Sequence, residues 1–147
     1  MDANTELLNF IFQNSEMGTN TLTELIEISG DVPFEAVLIK QQEGYKAINK
    51  EAVSLMESND EEPKGISKFD QIKTYLMIKA STLTNHSASH FAEMLIQGST
   101  MGTVDLCKKL NSYTDVKPEI RALAEHLLQF EESNIEELKK YLRQDEH

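Results

Sequence analysis

The chain has one cysteine, Cys107, among its 147 residues. A single cysteine excludes an internal disulfide and the cysteine pairs that hold structural zinc. Free cysteine is among the residue types most often buried, so we expect Cys107 to pack in the core as a small apolar side chain.

Proline, glycine and long apolar runs are also scarce. With 3 Pro and 6 Gly, the sequence leaves room for long uninterrupted helices. No stretch approaches the roughly 20 apolar residues that span a bilayer. The first residues, Met1–Glu6, lack the basic and then apolar layout of a secretory signal. We therefore expect a cytoplasmic protein with a single domain over residues 1–147.

Basic residues are few relative to acidic ones. The chain has 14 Lys and Arg against 25 Asp and Glu, for a net charge of -11. This charge repels phosphate backbones and anionic lipid headgroups, so we expect neither nucleic acid nor a membrane as a partner. No Ser-His-Asp set, phosphate loop or dinucleotide fingerprint is present, so the sequence offers no nucleophile.

What the sequence does contain is apolar spacing of three and four residues, which predicts four main helices. They cover about Asn4–Ile28, Phe34–Leu55, Ser87–Asn111 and Pro118–Leu142. The short turns within the first pair and within the second pair predict two antiparallel hairpins. The spacing also predicts the inward faces. The residues placed inward are Leu7, Leu8, Ile11, Gly18, Leu22 and Leu25; Phe34, Leu38, Gln41, Tyr45, Ile48, Ala52 and Leu55; Phe91, Met94, Leu95, Gly98, Met101 and Gly102; and Ile120, Leu123, Leu127, Leu138, Tyr141 and Leu142.

A long connection joins the two predicted hairpins. Ser58–Gly65 is polar and acidic, whereas Ile66–Leu83 has helical spacing and is followed by several possible N-cap residues. We expect an extra helix in this connection. The alternative, one helix over Ile66–Leu110, would be about 68 Å long at 1.5 Å per residue, far longer than its neighbours.

A weak internal repeat supports the two-hairpin interpretation. Gln13–Thr19 is similar to Gln97–Thr103 at an offset of 84 residues, and Leu22 matches Leu106 at the same offset. Nearly the same offset pairs the turns, Asp31 with Asp115 and Pro33 with Pro118. A duplicated hairpin predicts packing about a pseudo-two-fold axis, with Gly18 and Gly102 allowing close approach of facing backbones. Chance similarity between amphipathic helices is the alternative.

Two helical hairpins joined by a long crossover resemble the ferritin-like superfamily, and the chain is similar to divergent, uncharacterised bacterial members over essentially its whole length. The resemblance implies a four-helix bundle. Metal-binding members hold two ions with a Glu on each of two helices and a Glu-x-x-His pair on each of the others. Here Asn14 and Gly98 stand at the single-Glu positions, and the pairs become Gln42-x-x-Tyr45 and Glu131-x-x-Asn134.

Only Glu131 therefore matches a family metal ligand. One carboxylate among neutral amides does not balance the charge of two metal ions, so we expect no iron or manganese cofactor and no oxidase chemistry. The sequence instead predicts a polar layer inside the bundle. Its members are Asn14, Gln42, Tyr45, Glu131 and Asn134. The leading hypothesis is a non-catalytic domain that self-associates or binds a protein partner. A dimer is expected because Phe12, Ile39 and Ile96 lie off the predicted inward faces.

Two other functions stay open at this point. The first is an atypical iron or manganese enzyme in which Glu131 joins His90 or an inward Asp105. His86 and Glu93, which lie near His90 in the sequence, are expected on a solvated face. The second is a small-molecule carrier with a pocket lined by Asn14, Gln42 and Tyr45. The methionine and aromatic positions, Met94, Met101, Phe10, Phe12, Phe91 and Phe130, are expected in the core rather than around a ligand.

Overall fold

The computed structural model describes residues 2–59 and 85–144. Within these two ranges the chain forms four α-helices and no strand: α1 (Ala3–Ile28), α2 (Val32–Ser58), α3 (Ala88–Ser112) and α4 (Pro118–Lys139). The predicted all-α class is confirmed for this part of the chain. The extra helix predicted over residues 66–83 lies outside the described residues.

Local capping explains where the helices begin. The side chains of Asp2, Asp31 and Ser87 each accept a hydrogen bond from a backbone N–H in the first turn, at 2.8 to 3.1 Å. These bonds satisfy N–H groups that have no partner within the helix. Helix α4 has no side-chain cap and begins instead at Pro118, whose ring suits the first turn.

The helices pack mainly as two close pairs, α1 with α2 and α3 with α4, and α4 also contacts both α1 and α2. In the first pair, Gln42 Nε2 donates to Thr23 Oγ1 at 2.7 Å and Asn49 Nδ2 donates to the Phe12 carbonyl at 3.1 Å. In the second pair, Ser89 Oγ donates to the Arg143 carbonyl at 3.2 Å. These packed helices enclose one apolar core.

The buried faces of α1, α2 and α4 follow the predicted spacing closely. The fully buried apolar residues include Leu7, Leu8, Ile11, Leu25, Phe34, Leu38, Ile120 and Leu127. The differences are local. Phe12 was predicted to face outward but is 9% exposed; Met56 rather than Leu55 fills the end of the α2 face; and Leu142 lies beyond α4.

On helix α3 the predicted face is wrong in part. Phe91 is buried and Met94 and Leu95 pack against the core, as predicted. Gly98 is exposed, however, Met101 is 70% exposed, and Asp105, predicted inward, is exposed as well. The buried face contains Phe91, Ala92, Ser99, Leu106 and Leu110. The small residues Ala92 and Ser99 are therefore buried, whereas the larger apolar Met101 is not. Cys107, predicted to be buried, is exposed beside Leu106.

None of the helices in the described ranges combines the length and the apolar composition that a membrane crossing requires.

Candidate functional site

Glu131 lies at the centre of the packed helices, on α4, with 1% of its surface exposed. Its Oε1 accepts a hydrogen bond from Asn14 Nδ2 of α1 at 2.7 Å, and its Oε2 accepts one from the Tyr45 hydroxyl of α2 at 2.9 Å. Three helices therefore meet at one carboxyl group. Each carboxyl oxygen is satisfied by a neutral donor rather than by a basic side chain.

Two glycines make room for the side chains of this cluster. A Cβ added at Gly18 would lie 2.8 Å from three atoms of the Tyr45 ring, and one added at Gly102 would lie 3.2 Å from both oxygens of Glu131. We expected Gly18 and Gly102 to bring helix backbones together. The structure shows instead that each glycine receives a polar side chain from a neighbouring helix.

The Tyr45 ring also packs against an aromatic ring of α4. The Phe130 ring meets it edge to face, with centroids 4.9 Å apart and an interplanar angle of 89°. A Cβ on Gly44 would overlap the Phe130 ring, so this position also depends on a missing side chain. Tyr45 is therefore held by contacts of its ring with Gly18 and Phe130 and by the hydrogen bond from its hydroxyl to Glu131.

Burial shifts the protonation of both acidic groups. It raises the pKa of Glu131 from 4.5 to about 7, although the hydrogen bonds from Asn14 and Tyr45 act in the opposite direction. Burial, followed by the negative charge of Glu131, raises the pKa of Tyr45 above its usual value. The phenol therefore stays a neutral donor, while the carboxyl group is close to half protonated at neutral pH.

Of the five residues predicted for the polar layer, four lie in this interior. Asn134 is 7% exposed, and its Nδ2 has no hydrogen-bond partner among the described residues. Gln42 lies apart from the others, because its amide nitrogen bonds Thr23 on the outer side of α1 and α2. Gln41 takes the interior position instead, at 5% exposed. The regular spacing of the α2 face already included Gln41.

A cavity of about 120 Å³ lies beside the cluster. We call it the Gln41 cavity. Residues lining it include Asn14, Leu22, Gln41, Tyr45, Met94 and Glu131. The exposed Gly98 also lines it, so the cavity reaches the surface at α3. Gln41 is one of the lining residues, and its Nε2 atom is buried and has no hydrogen-bond partner among the described residues.

The residues considered for an atypical metal site are not brought together. Glu131 is buried, His90 is half-buried near the start of α3, and Asp105 is exposed. Within residues 2–59 and 85–144, no group of three or more His, Cys, Asp or Glu residues has a geometry that could hold a metal ion. The open groove between α2 and α4, which is lined by Glu51, Glu119 and His126, therefore does not bring these three side chains into such a geometry.

Comparisons of the chain with protein-family models, with curated proteins and with solved structures found no match.

Proposed function

We propose that this protein is a non-catalytic helical domain without a di-metal centre, acting by self-association or by binding a protein partner. The observation that carries the proposal is the bonding of Glu131, whose two oxygens accept from Asn14 and Tyr45. A di-metal site of this kind needs further anionic or imidazole ligands nearby. Among the described residues, the side chains that hydrogen-bond Glu131 are an amide and a phenol, both neutral.

The proposed architecture is a ferritin-like bundle of two hairpins related by duplication, in a cytoplasmic protein. Support comes from the burial pattern. Buried Leu7, Leu8, Ser15 and Leu22 of α1 precede buried Phe91, Ala92, Ser99 and Leu106 of α3 by the 84 residues of the sequence repeat. Equivalent positions face the core in both halves, as a duplicated hairpin requires.

The metal prediction is tested by elemental analysis of protein purified without a histidine tag. We expect no stoichiometric iron or manganese, because within residues 2–59 and 85–144 Glu131 belongs to no group of three or more His, Cys, Asp or Glu side chains that could hold a metal ion. Glu131→Gln, which keeps the shape of the side chain, is the matched variant. Stoichiometric metal in the wild type that is absent from Glu131→Gln would contradict the proposal and favour the atypical metalloenzyme.

For self-association we propose a dimer through the outer face of α3. Met101 and Val104, less than one helical turn apart, are 70% and 48% exposed. Adjacent exposed apolar side chains favour contact with another apolar surface.

Met101→Glu is expected to convert a dimer into a monomer, because each copy would bury a charge in the shared interface. Val32→Glu is the control, since Val32 is 75% exposed at the start of α2. Sedimentation velocity over a range of concentrations measures both. A monomeric wild type, or equal dissociation by both substitutions, would rule out this interface, and circular dichroism would verify that each variant is folded.

A further inference from the structure

We propose that the Gln41 cavity binds a small neutral molecule that carries a hydrogen-bond donor and an acceptor on a short apolar body, such as a primary amide. The first observation is the unpaired Nε2 of Gln41, on a side chain only 5% exposed. A buried donor without an acceptor is unfavourable. An oxygen atom of a bound molecule would remove that penalty.

The volume of the cavity limits the size of its ligand. About 120 Å³ corresponds to roughly four water molecules, or to slightly less than the cavity of about 150 Å³ that accommodates benzene. The ligand therefore has about five or six non-hydrogen atoms.

The lining favours an organic molecule over a cluster of waters. Leu22, Met94 and Leu95 contribute apolar side chains to the walls. Water gains nothing from contact with these apolar side chains, whereas an apolar group of a ligand is removed from water there. A short apolar body packs against these side chains, while a polar end reaches Gln41 and Glu131.

The charges around the cavity favour a neutral polar end. The carboxyl group of Glu131 and the net charge of -11 disfavour an anion. The donor of Gln41 needs an acceptor, which an ammonium group lacks. A primary amide offers its oxygen to Gln41 and its N–H groups to a free lone pair of the carboxyl group.

The test is a titration of the full chain with butyramide, which has six non-hydrogen atoms (about the size the cavity allows). Binding is measured through the methyl NMR signals of ¹³C-labelled methionine in the protein. Met17 and Met94 line the cavity, whereas Met56 and Met101 do not. We expect saturable shifts of the Met17 and Met94 signals in the millimolar range and unchanged Met56 and Met101 signals. Butyrate and butylammonium, of the same chain length but charged, should bind at least about tenfold more weakly.

Gln41→Leu should weaken butyramide binding by about five- to tenfold, because it removes one buried hydrogen bond. Gln42→Leu is the matched control, since Gln42 bonds Thr23 outside the cavity and its loss should leave binding unchanged. Gln41→Met is a second variant if Gln41→Leu does not fold. Absence of saturation, meaning that the cavity takes water only, would overturn the proposal, as would equal binding of the charged probes or equal effects of the two Leu variants.

Discussion

Replacing Glu131 by glutamine is expected to remove a fall in folding stability between about pH 4.5 and about pH 7. Burial raises the pKa of Glu131 from 4.5 to about 7 in the folded protein. Between these two values the folded state binds more protons than the unfolded state, so the free energy of unfolding decreases as the pH rises. The contribution of this carboxyl group is fully favourable below pH 4.5 and is lost by about pH 7.

The size of this effect follows from the difference between the two pKa values. At about 1.4 kcal/mol for each pKa unit, the wild type loses about 3 kcal/mol relative to Glu131→Gln over the interval. The glutamine oxygen still accepts from Asn14, while its N–H₂ group faces the Tyr45 oxygen, which can accept. We therefore expect the variant to fold, and we expect its free energy of unfolding to increase relative to that of the wild type as the pH rises.

Urea denaturation followed by circular dichroism, repeated from about pH 5 to about pH 8, measures this difference. Glu132→Gln provides the control, because Glu132 lies next to Glu131 on α4 but is exposed. The free energy of unfolding of that variant should change with pH as that of the wild type does, because the replaced carboxyl group is exposed to water in the folded protein. Parallel stability profiles for the wild type and Glu131→Gln would show that the carboxyl group is not desolvated.

The helix boundaries could be predicted because the signals that end a helix are local. Asp31 caps α2 and Pro118 begins α4 through contacts within a few residues. The buried faces of α1, α2 and α4 were also predictable, since each has one continuous apolar stripe. Helix α3 has apolar residues on two sides, and which side is buried depends on its contacts with the other helices. No spacing within α3 contains that information.

The candidate site was predictable in part for the same reason. Helical projection placed Asn14, Tyr45, Glu131 and Asn134 inward, and the structure brings them to one interior. Gln42 was chosen over Gln41 because a three-residue spacing to Tyr45 resembled the ferritin-like metal motif. The core face of α2 instead follows the four-residue step from Gln41 to Tyr45. The cavity itself arises from the relative positions of separate helices, so no local pattern predicts it.

Gly18→Ala is expected to destabilise the protein by about 2 kcal/mol, although alanine is the better helix former by about 1 kcal/mol. The new methyl group would lie 2.8 Å from the Tyr45 ring. That ring has little freedom to move, because its hydroxyl bonds Glu131 and Phe130 packs against it. A displaced ring would leave a buried carboxyl oxygen without its donor, which adds roughly 1 to 3 kcal/mol.

Gly98→Ala makes the same substitution in α3 with the opposite expected sign. A Cβ at Gly98 meets no atom within 4 Å, so only the helix-forming advantage of alanine remains, and stability should rise by about 1 kcal/mol. Thermal and urea denaturation of the two variants should therefore differ by about 3 kcal/mol. In a Tyr45→Leu background, which removes the ring, Gly18→Ala should lose most of its effect. Equal changes in the free energy of unfolding of both glycine variants would contradict this role of Gly18. So would an unchanged effect of Gly18→Ala in the absence of the Tyr45 ring, because Gly18 would then not be needed to make room for that ring.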